Sequence, residues 1–170
     1  MYRGIAYSVL FVVAVLLQVL LLDSLFIIPF GVPMLYLSFL ILQPFDRNAF
    51  AMLGLGLLLG LAMDLLSGMD GLYTISALWL AFVRRGVVIL SLGKDALRES
   101  FVPSARVLGG GRFWLYTLSA LLVHNVVFFL FEALTFDNLH ITLSRIVVST
   151  IFSAPFIWAA AKLFPSFNKK

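Results

Sequence analysis

Between Ala49 and Gly68 the chain reads AFAMLGLGLLLGLAMDLLSG, an apolar run with one acid, Asp64, below a ladder of glycines. At about 1.5 Å rise per residue, such a run crosses a hydrocarbon layer of about 30 Å and predicts a transmembrane helix. Gly56, Gly60, Asp64 and Gly68 recur every four residues, which puts them on one helix face. Glycine on that face gives up packing of its own and lets a neighbouring helix approach closely. A carboxylate at the middle of a membrane helix costs about 2.5–3.5 kcal/mol, and less toward an end. The eight leucines of the run, at about 0.3–0.6 kcal/mol each, still carry it into the membrane. Asp64 therefore needs a partner. The face is either a helix-packing seam with a structurally paired acid or a site for a substrate, an ion or a partner protein.

The rest of the chain has the same character. Of its 170 residues, 62% are hydrophobic and 12% charged, and the mean hydropathy is +1.09. That composition predicts an all-α integral membrane domain over residues 1–170, with no appended soluble module. A net charge of +4 in so apolar a chain reads as topology determinants and contacts with anionic lipid headgroups rather than as nucleic-acid binding. Cysteine is absent, which excludes disulfides, thiolate chemistry and cysteine-ligated metals.

Six spans are expected, at about 5–22, 33–45, 49–67, 71–85, 113–133 and 141–163. The first is broken only by Ser8 and Gln18 and is too long for a signal-peptide core, so it reads as a retained span. The second is the least regular, because Pro29, Gly31 and Pro33 interrupt it. Either it starts near Ser24 and is kinked, or Ser24 to Gly31 is a loop buried against protein; the loop is the favoured reading. Arg84 and Arg85 suit a helix end, with their stems snorkelling to the headgroups and Val87 to Leu92 along the interface. A cationic pair inside a cavity is the alternative. Residues 93–112, with Lys94, Arg98, Arg106 and Arg112 and the run Gly109 to Gly111, form the one sizeable extramembrane loop.

Charge orients these spans. With the N-terminus inside, Arg3, Arg47, Arg84, Arg85, Lys94, Arg98, Arg106, Arg112, Lys162, Lys169 and Lys170 are all cytoplasmic, and of the 12 basic residues only Arg145 is outside. The outer connections carry Asp23, Asp70, Glu132 and Asp137. Asp64 then lies in the outer half of its span, near the level of Arg145 and Glu132. Pairing of Asp64 or Glu132 with Arg145 is the expected compensation for the buried charge.

Little here points to chemistry. His124 and Asn125 sit mid-span, with Phe128 and Glu132 on the histidine's face. A histidine there either relays protons or contacts a partner, or is a core residue bonded to a neighbouring helix, which is the favoured reading. With His140 outside and no cysteine, no metal-ligand spacing is recognisable. The sequence holds no GxSxG and no P-loop. No enzymatic activity and no cofactor is expected.

Three stretches together carry a resemblance: Leu57 to Leu78, LLLGLAMDLLSGMDGLYTISAL; Pro33 to Pro44, PMLYLSFLILQP; and His124 to Phe136, HNVVFFLFEALTF. With the chain length and the span number, they resemble the MreD family of rod shape-determining proteins, in which Gly60 and Asp64 match the family's glycine and aspartate. The resemblance implies a non-enzymatic component of the bacterial cell-elongation machinery in the cytoplasmic (inner) membrane. It would bind the bitopic protein MreC and work in lateral peptidoglycan synthesis beside RodA, its partner transpeptidase and, indirectly, MreB. It also implies a fold similar to the S-components of energy-coupling-factor transporters. A vitamin-binding S-component is accordingly the alternative function, mildly disfavoured by the acid in the glycine ladder.

Overall fold

A computed structural model describes residues 2–22, 31–98, 100–134 and 138–163. It is all-helical, with 84% helix and no strand among the described residues. In chain order the helices are α1 (Tyr2–Leu17, continued by a widened turn Gln18–Leu22), α2 (Ser38–Ile41), α3 (Ala49–Ser67), α4 (Leu72–Leu92), α5 (Ala105–Leu108), α6 (Gly110–Ala133) and α7 (Leu139–Leu163). Five of these stretches, Gly4–Leu22, α3, α4, α6 and α7, are long and apolar enough to cross a membrane. The apolar side chains turned outward, Leu65, Phe82 and Ile151 among them, suit a lipid surround. Among the described residues there are thus five membrane-length helices.

Successive long helices pack as neighbours, α3 on α4, α4 on α6 and α6 on α7, while α1 lies against α2 and α3. At the centre runs the stretch expected as the second span. It is no long helix: a 3-10 turn at Leu35–Leu37 leads into the single turn of α2. At about 1.5–2 Å per residue these seven residues cover less than half of a hydrocarbon layer. Their environment explains the short form. Tyr36, Leu37, Leu40 and Leu42 are wholly buried, so the stretch faces protein on every side and side chains of other helices can satisfy its backbone. It runs antiparallel to α1, because Gln18 near the far end of α1 binds Pro33 and Leu35, while Tyr7 near the other end binds Leu42.

Two further expectations change. Helix α4 continues unbroken through Arg84 and Arg85 to Leu92, so Val87 to Leu92 is no separate interfacial piece. The expected 93–112 loop is partly structured: α6 begins at Gly110, Val102, Pro103 and Ser104 are buried, and Phe101 meets Phe45 edge-on at 5.7 Å. Most of the expected loop from Ser24, the acids Asp23 and Asp137, and the tail residues Lys169 and Lys170 lie outside the described residues, as does the side chain of Arg3.

Candidate functional site

The glycine ladder and Asp64 build the α3–α4 hairpin. Asn48 starts α3 by accepting the Phe50 N–H at 3.0 Å. Gly68, at φ +68°, ends it in the left-handed conformation that glycine takes without strain. A Cβ placed on Gly60 would run into the Thr74 Cα, with the Thr74 nitrogen 2.9 Å away, and one on Gly56 would sit 2.8 Å from the Ala81 Cβ. The two helices therefore approach backbone to backbone at Gly60, and at Gly56 the α3 backbone meets both the Ala81 side chain and the Ala77 carbonyl. Gly68 takes no part in that contact, since its Cβ would meet nothing within 4 Å.

Asp64 is 7% exposed. Its carboxylate accepts the Tyr73 and Thr74 N–H groups at 2.9 Å each and the Thr74 hydroxyl at 2.5 Å. It thus sits on the N-terminus of α4, where unpaired N–H groups and the positive end of the helix dipole meet a negative charge. Its compensation is backbone and hydroxyl donors, not Arg145. A local cap also satisfies the carboxylate more fully than a lone guanidinium would, because three donors converge on its two oxygens.

Arg145 pairs instead with Glu132: Nη2 donates to Oε1 at 3.0 Å and Nη1 lies 2.7 Å from Oε2, with both side chains near 30% exposed. The guanidinium also covers the Phe129 ring at 4.7 Å. The pair joins the end of α6 to the start of α7.

His124 and Asn125 are fully buried. The His124 Nε2 is 2.9 Å from the Tyr36 hydroxyl, and Asn125 donates to the Thr150 hydroxyl at 2.9 Å, which in turn donates to the Ile146 carbonyl. This chain of polar contacts ties the central segment to α6 and α7. Among the described residues no group of three histidine, cysteine or carboxylate side chains is placed to hold a metal.

Of the two consecutive arginines, only Arg85 is exposed. Arg84 is 3% exposed and reaches inward, where its Nε donates to the Tyr116 hydroxyl at 3.1 Å, Nη1 to the Pro44 carbonyl at 3.3 Å, and Nη2 to the Gln43 carbonyl. Tyr116 in turn donates its hydroxyl hydrogen bond to the Ile41 carbonyl at 3.1 Å. The carbonyls left open beyond α2 are thus met by one guanidinium and one phenol. Lys94, Arg98, Arg106 and Arg112 are exposed.

The opposite end of the central segment is held in the complementary way. The N–H groups of Val32 and Met34 donate to Ser149 Oγ at 3.0 Å and Ser153 Oγ at 2.8 Å. Leu35 donates to Gln18 Oε1 at 2.7 Å, and Gln18 donates back to the Pro33 carbonyl at 2.9 Å. Side-chain oxygens meet the N–H groups at the start, and side-chain donors meet the carbonyls at the end. Sequence reasoning did not assign Gln18, Tyr36, Tyr116, Ser149 or Ser153 to this clamp. The signal available was polar residues inside membrane-length apolar runs together with one proline-broken segment in need of partners.

An apolar cleft of about 360 Å³ opens between α1 and α7, walled by Val9, Val13, Leu17, Phe156 and Ala160, with Leu35 and Ser38 of the central segment at its floor. Neither a family model, nor a curated protein, nor a solved structure matches this chain.

Proposed function

We propose that this chain is a non-enzymatic membrane scaffold of the bacterial cell-elongation machinery, of the MreD type. On this reading it lies in the inner membrane with both termini cytoplasmic and binds MreC. It supports lateral peptidoglycan synthesis beside RodA, its partner transpeptidase and, indirectly, MreB. A scaffold for a bitopic partner needs a place for one foreign helix and no reacting groups.

The observation that carries the reading is the cleft between α1 and α7. It is apolar and opens to the side, and Ala159 and Ala160 on its α7 wall leave room for close helix approach. Asp64 and the glycines act indirectly, by fixing α3 against α4. Cysteines at Val13 and Ala160, paired with a cysteine scan of the membrane helix of MreC, are expected to cross-link at helical spacing. Ala160→Trp is expected to abolish co-purification of MreC while the protein stays folded. Full co-purification with Ala160→Trp, and no cross-link from either wall, would sink the reading. The alternative of an S-component is weakened by the mutual bonding of Tyr36, His124, Asn125 and Thr150, which leaves these polar groups engaged with one another. A vitamin that raises the unfolding temperature would revive it.

A further inference from the structure

Where α3 begins, beside the middle of α4, a second cleft of about 280 Å³ is lined by Arg47, Arg84 and Arg85 together with Phe50, Leu53 and Phe82. Three arginines line one space. Arg84 makes its hydrogen bonds to neutral oxygens only, and Arg47 rests over the Tyr7 ring at 5.8 Å. Among the described residues the ion pair is Glu132–Arg145, and no carboxylate reaches Arg47, Arg84 or Arg85. Asp46, the nearest acid in sequence, is exposed and makes no ion pair with these arginines. Among the described residues the positive charge of this cleft therefore has no carboxylate partner.

The cleft is amphipathic along its length. Antiparallel packing of Gly56 on Ala81 and Gly60 on Thr74 sets the N-terminus of α3 level with Arg85. The charged end thus lies at the N-terminal end of α3, one of the membrane-length helices, where a helix end suits the headgroup layer. Beside it Phe50 and Phe82 are 84% and 66% exposed and give the same cleft an aromatic wall. A phosphate held by guanidinium groups gains charge-assisted, two-pronged hydrogen bonds, and acyl chains suit the aromatic wall.

We propose that this cleft is a binding site for one anionic phospholipid, its phosphodiester between Arg47 and Arg85 and its chains along Phe50, Leu53 and Phe82. The buried charge of Arg84 adds to the attraction from behind. The site is independent of the MreC reading and requires only that the helices span a membrane.

Native mass spectrometry of the purified protein in neutral detergent, with phosphatidylglycerol and phosphatidylcholine supplied together, tests it. The unmodified protein is expected to retain one phosphatidylglycerol in preference to phosphatidylcholine. Arg47→Gln and Arg85→Gln are each expected to lower that preference about fivefold, from the attraction of one basic residue near an anionic surface. Lys94→Gln and Arg112→Gln each remove the same single charge elsewhere and are each expected to leave the preference unchanged. Equal losses in both pairs would mean diffuse surface attraction and overturn the site. So would displacement of the lipid by inorganic phosphate at equal concentration, which would make it a free-anion site. Absence of any preference in the unmodified protein overturns the site without recourse to variants.

Discussion

The α3–α4 hairpin and the central segment at residues 31–45 share one core but are held by opposite means. In the hairpin, everything needed lies within about ten residues of the turn: Asp64 caps Tyr73 and Thr74, and glycine clears the space at Gly60. In the central segment, backbone groups are met from far along the chain, Met34 by Ser153 at a separation of 119 residues and Ile41 by Tyr116 at a separation of 75. A regular helix satisfies its own backbone and can face lipid. A broken segment must borrow partners and so must be surrounded. The hairpin should therefore outlast the loss of distant contacts, and the central segment should not.

The largest effect is expected at Arg84. Arg84→Leu leaves the Gln43 and Pro44 carbonyls buried without their donor, at about 1–3 kcal/mol each. A loss of about 4 kcal/mol should appear as a lowered SDS unfolding midpoint in mixed micelles. Hydrogen exchange on the same variant sharpens the contrast: residues 33–45 should lose protection while residues 49–80 keep theirs, and equal loss in both would erase the distinction drawn here.

Gly60→Ala attacks the other region. Its Cβ meets the Thr74 backbone rather than a movable side-chain end, so a loss of about 2–3 kcal/mol is expected, with α3 and α4 losing protection together. Asp64→Ala removes the acceptor for one buried and one part-buried N–H group and should cost about 2 kcal/mol. Asp64→Asn, which keeps one acceptor oxygen, should recover part of that. If instead Asp64→Ala left stability unchanged and abolished only partner binding, the carboxylate would be a docking group and not a cap.

The smallest effect is expected at Glu132→Gln. The pair with Arg145 is about 30% exposed, and water weakens such pairs, so a change below about 1 kcal/mol is expected in the same unfolding assay.

Parts of this contrast were legible in the sequence. Asn48 before the apolar run and Gly68 after it mark the ends of α3, and the four-residue spacing of Gly56, Gly60 and Asp64 gives the face that packs on α4. These are local signals, and local geometry carries them out. The partner of Asp64 was not legible, because Arg145 offered an opposite charge at the same expected depth, while a backbone cap across the hairpin leaves no mark in residue type. Arg84 and Arg85 show the same limit. Adjacent residues on a helix point about 100° apart, so one turns into the core and the other outward, and only the position of α6 and of the Gln43–Pro44 carbonyls decides which.

By itself the sequence determined that this chain is helical and apolar enough for a membrane, where α3 begins and ends, and which face of α3 lets another helix approach. Hydropathy, capping and helical spacing act over a few residues and need no knowledge of the rest of the chain. The tertiary structure alone decided that residues 33–45 are a short buried segment instead of a sixth long helix, that Arg84 is interior, and that Glu132 rather than Asp64 takes Arg145. Each of those outcomes depends on which donors and acceptors from distant helices arrive at one place, and backbone groups removed from water accept whatever partner the packing brings.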